Sequence, residues 1–82
     1  MYRIRVIVDE RTKDYETDHI VKARVYGRRL FEKLCREYPA YSHIEVLVLE
    51  TNTRGTLQVV HSFENECARQ AHDTGRRGYR RK

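Results

Sequence analysis

No stretch of this sequence is apolar for long enough to cross a membrane, tryptophan is absent, and the four glycines are too scattered for a phosphate-cradling loop. Each absence removes a class of function. Without a glycine-rich turn there is no mononucleotide or dinucleotide cradle, and no nucleophile stands at a recognisable spacing from a base. Paired carboxylates in a hydrolytic pattern are also lacking. The N-terminus runs straight into an apolar alternation, without the basic region, apolar stretch and small-residue cleavage site of an export signal. A cytoplasmic location and no membrane partner are therefore expected. With only Cys35 and Cys67, no disulfide framework is available, and both are expected as reduced thiols. His61 and Cys35 would complete a four-ligand set with Cys67 and His72, but the spacing is not that of a paired-ligand finger. The sequence implies no metal and no cofactor.

What is present is a small, polar, charged chain. Its 82 residues suffice for one domain with a marginal core, so a sheet needs a covering helix to gain adequate burial. The longest periodic segment is Ile20 to Tyr38. On a helical wheel Ile20, Ala23, Gly27, Leu30, Phe31, Leu34 and Tyr38 share one side, a core-facing stripe. Lys22, Arg29, Lys33 and Arg36 form a column on nearly the opposite side, with Arg24 and Arg28 on its flank. A solvated outer face is the bland explanation, yet six bases stand against only Glu32 and Glu37, where a solubility face mixes signs more evenly. Thr17 or Asp18 is the expected N-cap, and Pro39 stops the helix. A rival assignment makes residues 19–26 a strand and starts the helix near Gly27, because Val21, Ala23 and Val25 also alternate with Lys22, Arg24 and Tyr26. That assignment yields a ββαββ order.

Elsewhere the patterning is that of strands. Residues 2–8 alternate, with Tyr2, Ile4, Val6 and Val8 on one side. Residues 9–18 hold five acids, two bases and one aromatic residue, which predicts an acidic loop. His43 to Glu50 carries apolar residues on both faces, as an interior strand does, and Leu57, Val59, His61 and Phe63 alternate after a hairpin loop at Thr51 to Gly55. A second, short helix is predicted from Ser62, as N-cap, to about Asp73, with Phe63, Cys67 and Ala71 on one side and Gly75 as terminator. The predicted fold is α+β in the order β-α-β-β-α: a three-stranded mixed sheet, with a helical crossover from strand one, covered by the long helix.

Charge is distributed in blocks. Residues 1–74, the predicted compact domain, contain twelve bases and twelve acids. The entire +5 therefore resides in Arg76, Arg77, Arg80, Arg81 and Lys82 of a predicted basic tail at 75–82, which also carries Tyr79. Arginines pair with phosphates bidentately, and a tyrosine between them offers a stacking surface. The leading expectation is a non-enzymatic accessory protein that contacts RNA or DNA phosphates through the helix column and the tail. The alternative is an inhibitor or adaptor that docks the basic helix on an acidic protein surface, with Val21, Val25 and Tyr26 as apolar contacts. In size and layout the chain resembles many small bacteriophage and mobile-element proteins. A third reading is a ribonuclease-like toxin, with His43 or His61 as acid-base group beside the helix arginines.

Because residues 75–82 contribute almost no apolar side chain, deleting them is expected to leave the fold unchanged. The check is an amide correlation spectrum of the truncated chain, whose dispersion should match that of the full chain.

Overall fold

The computed structural model describes residues 1–72. Within them lie β1 (Tyr2–Val8), β2 (Arg11–Thr17), α1 (Ile20–Glu37), β3 (Ile44–Thr51) and β4 (Leu57–Glu64), followed by a helical segment, α2, whose described part spans 66–72. The four strands form one antiparallel sheet in the order β2-β1-β3-β4.

The acidic stretch is a strand, not a loop. Asp9 and Glu10 form a two-residue hairpin, and Asp9 has φ of 54°, the sign that the first central residue of such a turn requires. Folding back there sets Glu16 opposite Arg3 and Asp14 opposite Arg5. The acids at every second position thus meet arginines at every second position, and Tyr15, between them, is the residue of β2 that packs against the core, beside Ile4. Strand β2 is a sheet edge, and its charged side chains discourage pairing with another sheet.

This extra strand also corrects the topology. The helical crossover runs from β2 to β3 with β1 inserted between them, so β3 pairs antiparallel to β1 and the predicted mixed sheet is not formed. The order ββαββ does occur, but its second strand is 11–17, while 19–26 is helical from Ile20 onward. The reason lies at Gly27, which is buried inside α1. A Cβ there would stand 3.3 Å from Val48 Cγ2 and 3.5 Å from Val46 Cγ1, so glycine serves close approach of helix to sheet rather than a helix boundary. Ala23, fully buried one turn earlier, serves the same approach. Around this seam Leu30, Phe31 and Leu34 pack partly buried against Ile4, Val6, Val8, Val46 and Val48.

Neither predicted N-cap is used. His19 occupies that position without a side-chain cap bond, and its carbonyl accepts from the Ala23 amide at 2.9 Å. At the other end the Tyr38 amide donates to the Leu34 carbonyl, directly before Pro39. In β4 the register shifts between Val48 and Leu49, leaving Val60 unopposed. That irregularity breaks the predicted alternation: Val59 is exposed, whereas Val60 and Phe63 pack on the core, the latter stacked on Phe31 at 6.0 Å. Ser62 lies within β4, and the cap of α2 is Asn65, whose Oδ1 accepts from the Ala68 amide at 2.9 Å. Predicted residues from Asp73 onward, including the helix end and the whole basic tail, lie outside the described residues.

Ile4→Ala, at a side chain only 2% exposed, is expected to cost about 2–5 kcal/mol. Leu34→Ala, at a half-buried position, should cost less than Ile4→Ala; urea unfolding of both variants measures the difference.

Candidate functional site

Helix α1 presents its bases to solvent: Lys22, Arg24, Arg28, Arg29, Lys33 and Arg36 are all exposed. Two of them are partly neutralised along the helix, Arg28 by Glu32 at 3.8 Å and Lys33 by Glu37 at 3.8 Å. Among the described residues no ion pair involves Lys22, Arg24, Arg29 or Arg36. The other basic block behaves differently. Arg5 holds Asp14 through two hydrogen bonds, Nε to Oδ1 at 3.0 Å and the terminal nitrogen to Oδ2 at 3.1 Å, and Arg3 reaches Asp14 and Glu16 at 4.0 and 3.9 Å. The charge of β1 is thus consumed by β2 on the sheet face away from α1. The helix keeps its own.

Beside the helix column lies an apolar groove of about 590 Å³ between α1 and β2. Its walls are Ile4, Tyr15, Thr17, Val21, Val25 and Tyr26, and Lys22, Arg29 and Glu16 stand at its rim. Val21 is 70% exposed, Val25 43% and Tyr26 46%. Tyr15 and Tyr26 meet edge to face at 5.8 Å, which fixes the ring that floors one side. The groove exists because the crossover leaves β2, the edge strand, with only part of the helix over it. Sequence reasoning found Val21, Val25 and Tyr26 as apolar residues outside the core stripe; it missed Tyr15, because the segment 9–18 reads as a loop. The signal that would have found it is symmetric spacing: Arg3 and Arg5 stand as far before the Asp9-Glu10 pair as Glu16 and Asp14 stand after it.

The four Cys and His residues weighed as a ligand set, Cys35, His61, Cys67 and His72, do not converge among the described residues. Cys35 is exposed on α1, and partial desolvation raises its thiol pKa, which leaves less thiolate for chemistry. Cys67 donates from Sγ to the Tyr41 carbonyl at 3.2 Å. His61 stands in β4 opposite Val48. His72 instead joins His43 and Glu45: His43 Nε2 lies 3.0 Å and His72 Nε2 3.4 Å from the same oxygen, Glu45 Oε1. This is the one set of three metal-capable side chains that converge among the described residues. Among the described residues His43 has Glu45 as its side-chain partner, and neither His43 nor His61 pairs with a base of α1. Arg76, Arg77, Tyr79, Arg80, Arg81 and Lys82 fall outside the described residues. No described helix is long and apolar enough to cross a membrane.

Comparison with family models, with curated proteins and with solved structures finds no match to this chain. What the surface does must be argued from its own chemistry.

The Arg5 pair has a pH consequence. Hydrogen bonding to Arg5 holds the Asp14 carboxyl below its ordinary range, so the pair's stabilisation is present above the unfolded-state pKa and is lost as pH falls through the folded-state value. Between pH 7 and pH 3 the wild type should therefore lose more stability than Asp14→Asn. For so exposed a pair the difference stays within about 1 kcal/mol, measured by urea unfolding at the two pH values.

Proposed function

We propose that this protein is a small non-enzymatic interaction protein, an inhibitor or adaptor, that docks the α1–β2 side of its fold on an acidic patch of a larger protein. The observation that carries the proposal is the apolar groove with Val21, Val25 and Tyr26 exposed beside Lys22 and Arg29, two bases with no ion pair among the described residues. Phosphate contact needs bases alone. Leaving two valines and a tyrosine in water beside them costs burial that a protein partner restores, and an aromatic anchor ringed by arginine is the composition of interface centres. Acidic partner residues would be drawn to the rim first, steering the apolar contacts into place.

A second reading, binding to RNA or DNA phosphates, is favoured by the helix column, where Arg24 and Arg36 lie outside the groove and have no ion-pair partner among the described residues. The tail residues Arg76, Arg77, Arg80, Arg81 and Lys82 would add to it.

Two variants separate the readings. Val25→Asp, at an exposed position, leaves the core untouched and should weaken a protein partner by about tenfold or more, equivalent to about 1.4 kcal/mol. Arg36→Ala lies away from the groove and removes a phosphate contact. The full chain is immobilised and exposed to native lysate with and without nuclease, and its affinity for single- and double-stranded oligonucleotides is followed by fluorescence anisotropy across salt. The docking proposal expects a nuclease-resistant protein that Val25→Asp releases, and oligonucleotide binding no tighter than about 10⁻⁴ to 10⁻⁶ M. Tight oligonucleotide binding with a steep salt slope, reduced by about one unit in Arg36→Ala and unaffected by Val25→Asp, overturns it in favour of phosphate binding.

A further inference from the structure

At the opposite end of the sheet, Glu45 and Glu64 occupy directly opposed positions of β3 and β4, so their carboxylates share one face. Like charges in that relation repel. Glu45 is also the less exposed of the two, its side chain only 14% accessible, and its neighbour on the other side is Ile7 of β1. No lysine or arginine of the described residues pairs with either carboxylate. Their partners are imidazoles: His43 and His72 both direct Nε2 at Glu45 Oε1, and His72 Nε2 stands 3.6 Å from Glu64 Oε2. A withdrawn carboxylate with a second one beside it favours a cation held between them.

The spacing fits a metal ion. Zinc lies about 2.0–2.1 Å from imidazole nitrogen and carboxylate oxygen in tetrahedral sites, which sets neighbouring ligand atoms about 3.3 Å apart. The two nitrogen-to-oxygen separations here, 3.0 and 3.4 Å, bracket that value, and the three candidate ligand atoms all lie within 4.8 Å of one another. Donor chemistry narrows the class: imidazole with carboxylate suits zinc and its first-row neighbours rather than calcium or magnesium, which take oxygen ligands.

The backbone around the three residues is held independently of any ion. The His43 amide donates to Asp9 Oδ1 at 3.0 Å, and its carbonyl accepts from the Asp9 amide at 2.8 Å. Asn65 joins the two contributing segments: its Oδ1 accepts from the Ile44 and Ala68 amides, and its Nδ2 donates to the Ser42 carbonyl at 2.7 Å. The hairpin turn, the start of β3 and the start of α2 therefore meet with His43 and Glu45 already in place. We propose that His43, Glu45 and His72 form a site for a zinc-class divalent ion, with Glu64 beside it, that clamps α2 to the start of β3.

The test uses the untagged full chain and zinc alone, with cobalt as a spectroscopic probe. One equivalent of zinc should bind saturably, raise the melting temperature, and protect the amides of 66–72 from hydrogen exchange. Cobalt should give the visible bands of a tetrahedral site. His72→Ala, at a half-exposed side chain, should weaken zinc binding by more than the about 10–100-fold that loss of an outer-shell partner costs, and so should His43→Ala. The double variant Cys35→Ser, Cys67→Ser should bind as the wild type does. Absence of saturable zinc binding below about 1 mM overturns the proposal. So does binding that survives His72→Ala or depends on the cysteines, because the ion would then have other ligands.

Discussion

The fold depends on how closely α1 seats on the middle of the sheet. Ala23 and Gly27 are the two fully buried helix positions, and both lack a side chain large enough to hold the helix away from β3. Close approach brings Leu30, Phe31 and Leu34 down onto Ile4, Val6, Val46 and Val48 in a domain too small to have a second layer of core. It also determines what is left over. Val21, Val25 and Tyr26 lie off this seam and stay exposed, lining the groove beside the edge strand β2.

Charge follows the same geometry. The hairpin at Asp9-Glu10 lays the acidic segment along the arginines of β1, so two blocks of opposite sign neutralise each other on the far face of the sheet. Surface pairs of this kind add little stability, but they select the register, because a slip of one residue would carry Asp14 and Glu16 to the core side and Tyr15 away from it. With β1 satisfied, Lys22, Arg24, Arg29 and Arg36 of α1 stand without an ion pair among the described residues, and Lys22 and Arg29 border the apolar groove. An apolar surface next to unpaired positive charge is what gives the docking proposal its chemistry.

The other end of the sheet has the reverse character. There Glu45 and Glu64 are opposed with no lysine or arginine of the described residues paired to them, and the imidazoles of His43 and His72 come from segments joined by bonds of Asp9 and Asn65. The proposed ion site and the proposed docking groove share no residue, so they make independent demands on the chain. The metal clamp would act on α2, the element that leads to the basic segment at 75–82.

Several features were determined by the sequence alone: a helix over at least 27–37, whose apolar stripe recurs at helical spacing, with residues 19–26 left open between helix and strand; an interior strand read at 43–50, apolar on both faces; and the column of bases from Lys22 to Arg36. These are local patterns, and periodicity within one segment suffices to read them. Only the tertiary structure decided that 11–17 is a strand, because none of its residues except Tyr15 has an apolar reason to be one and its acids gain a place only when Arg3 and Arg5 lie opposite. The same holds for the antiparallel pairing of β1 with β3, for Gly27 as a point of contact, and for the convergence of His43, Glu45 and His72. In each, the physical cause is a partner distant in the chain: His72 stands 27 residues from Glu45, and no pattern within either segment records that they meet.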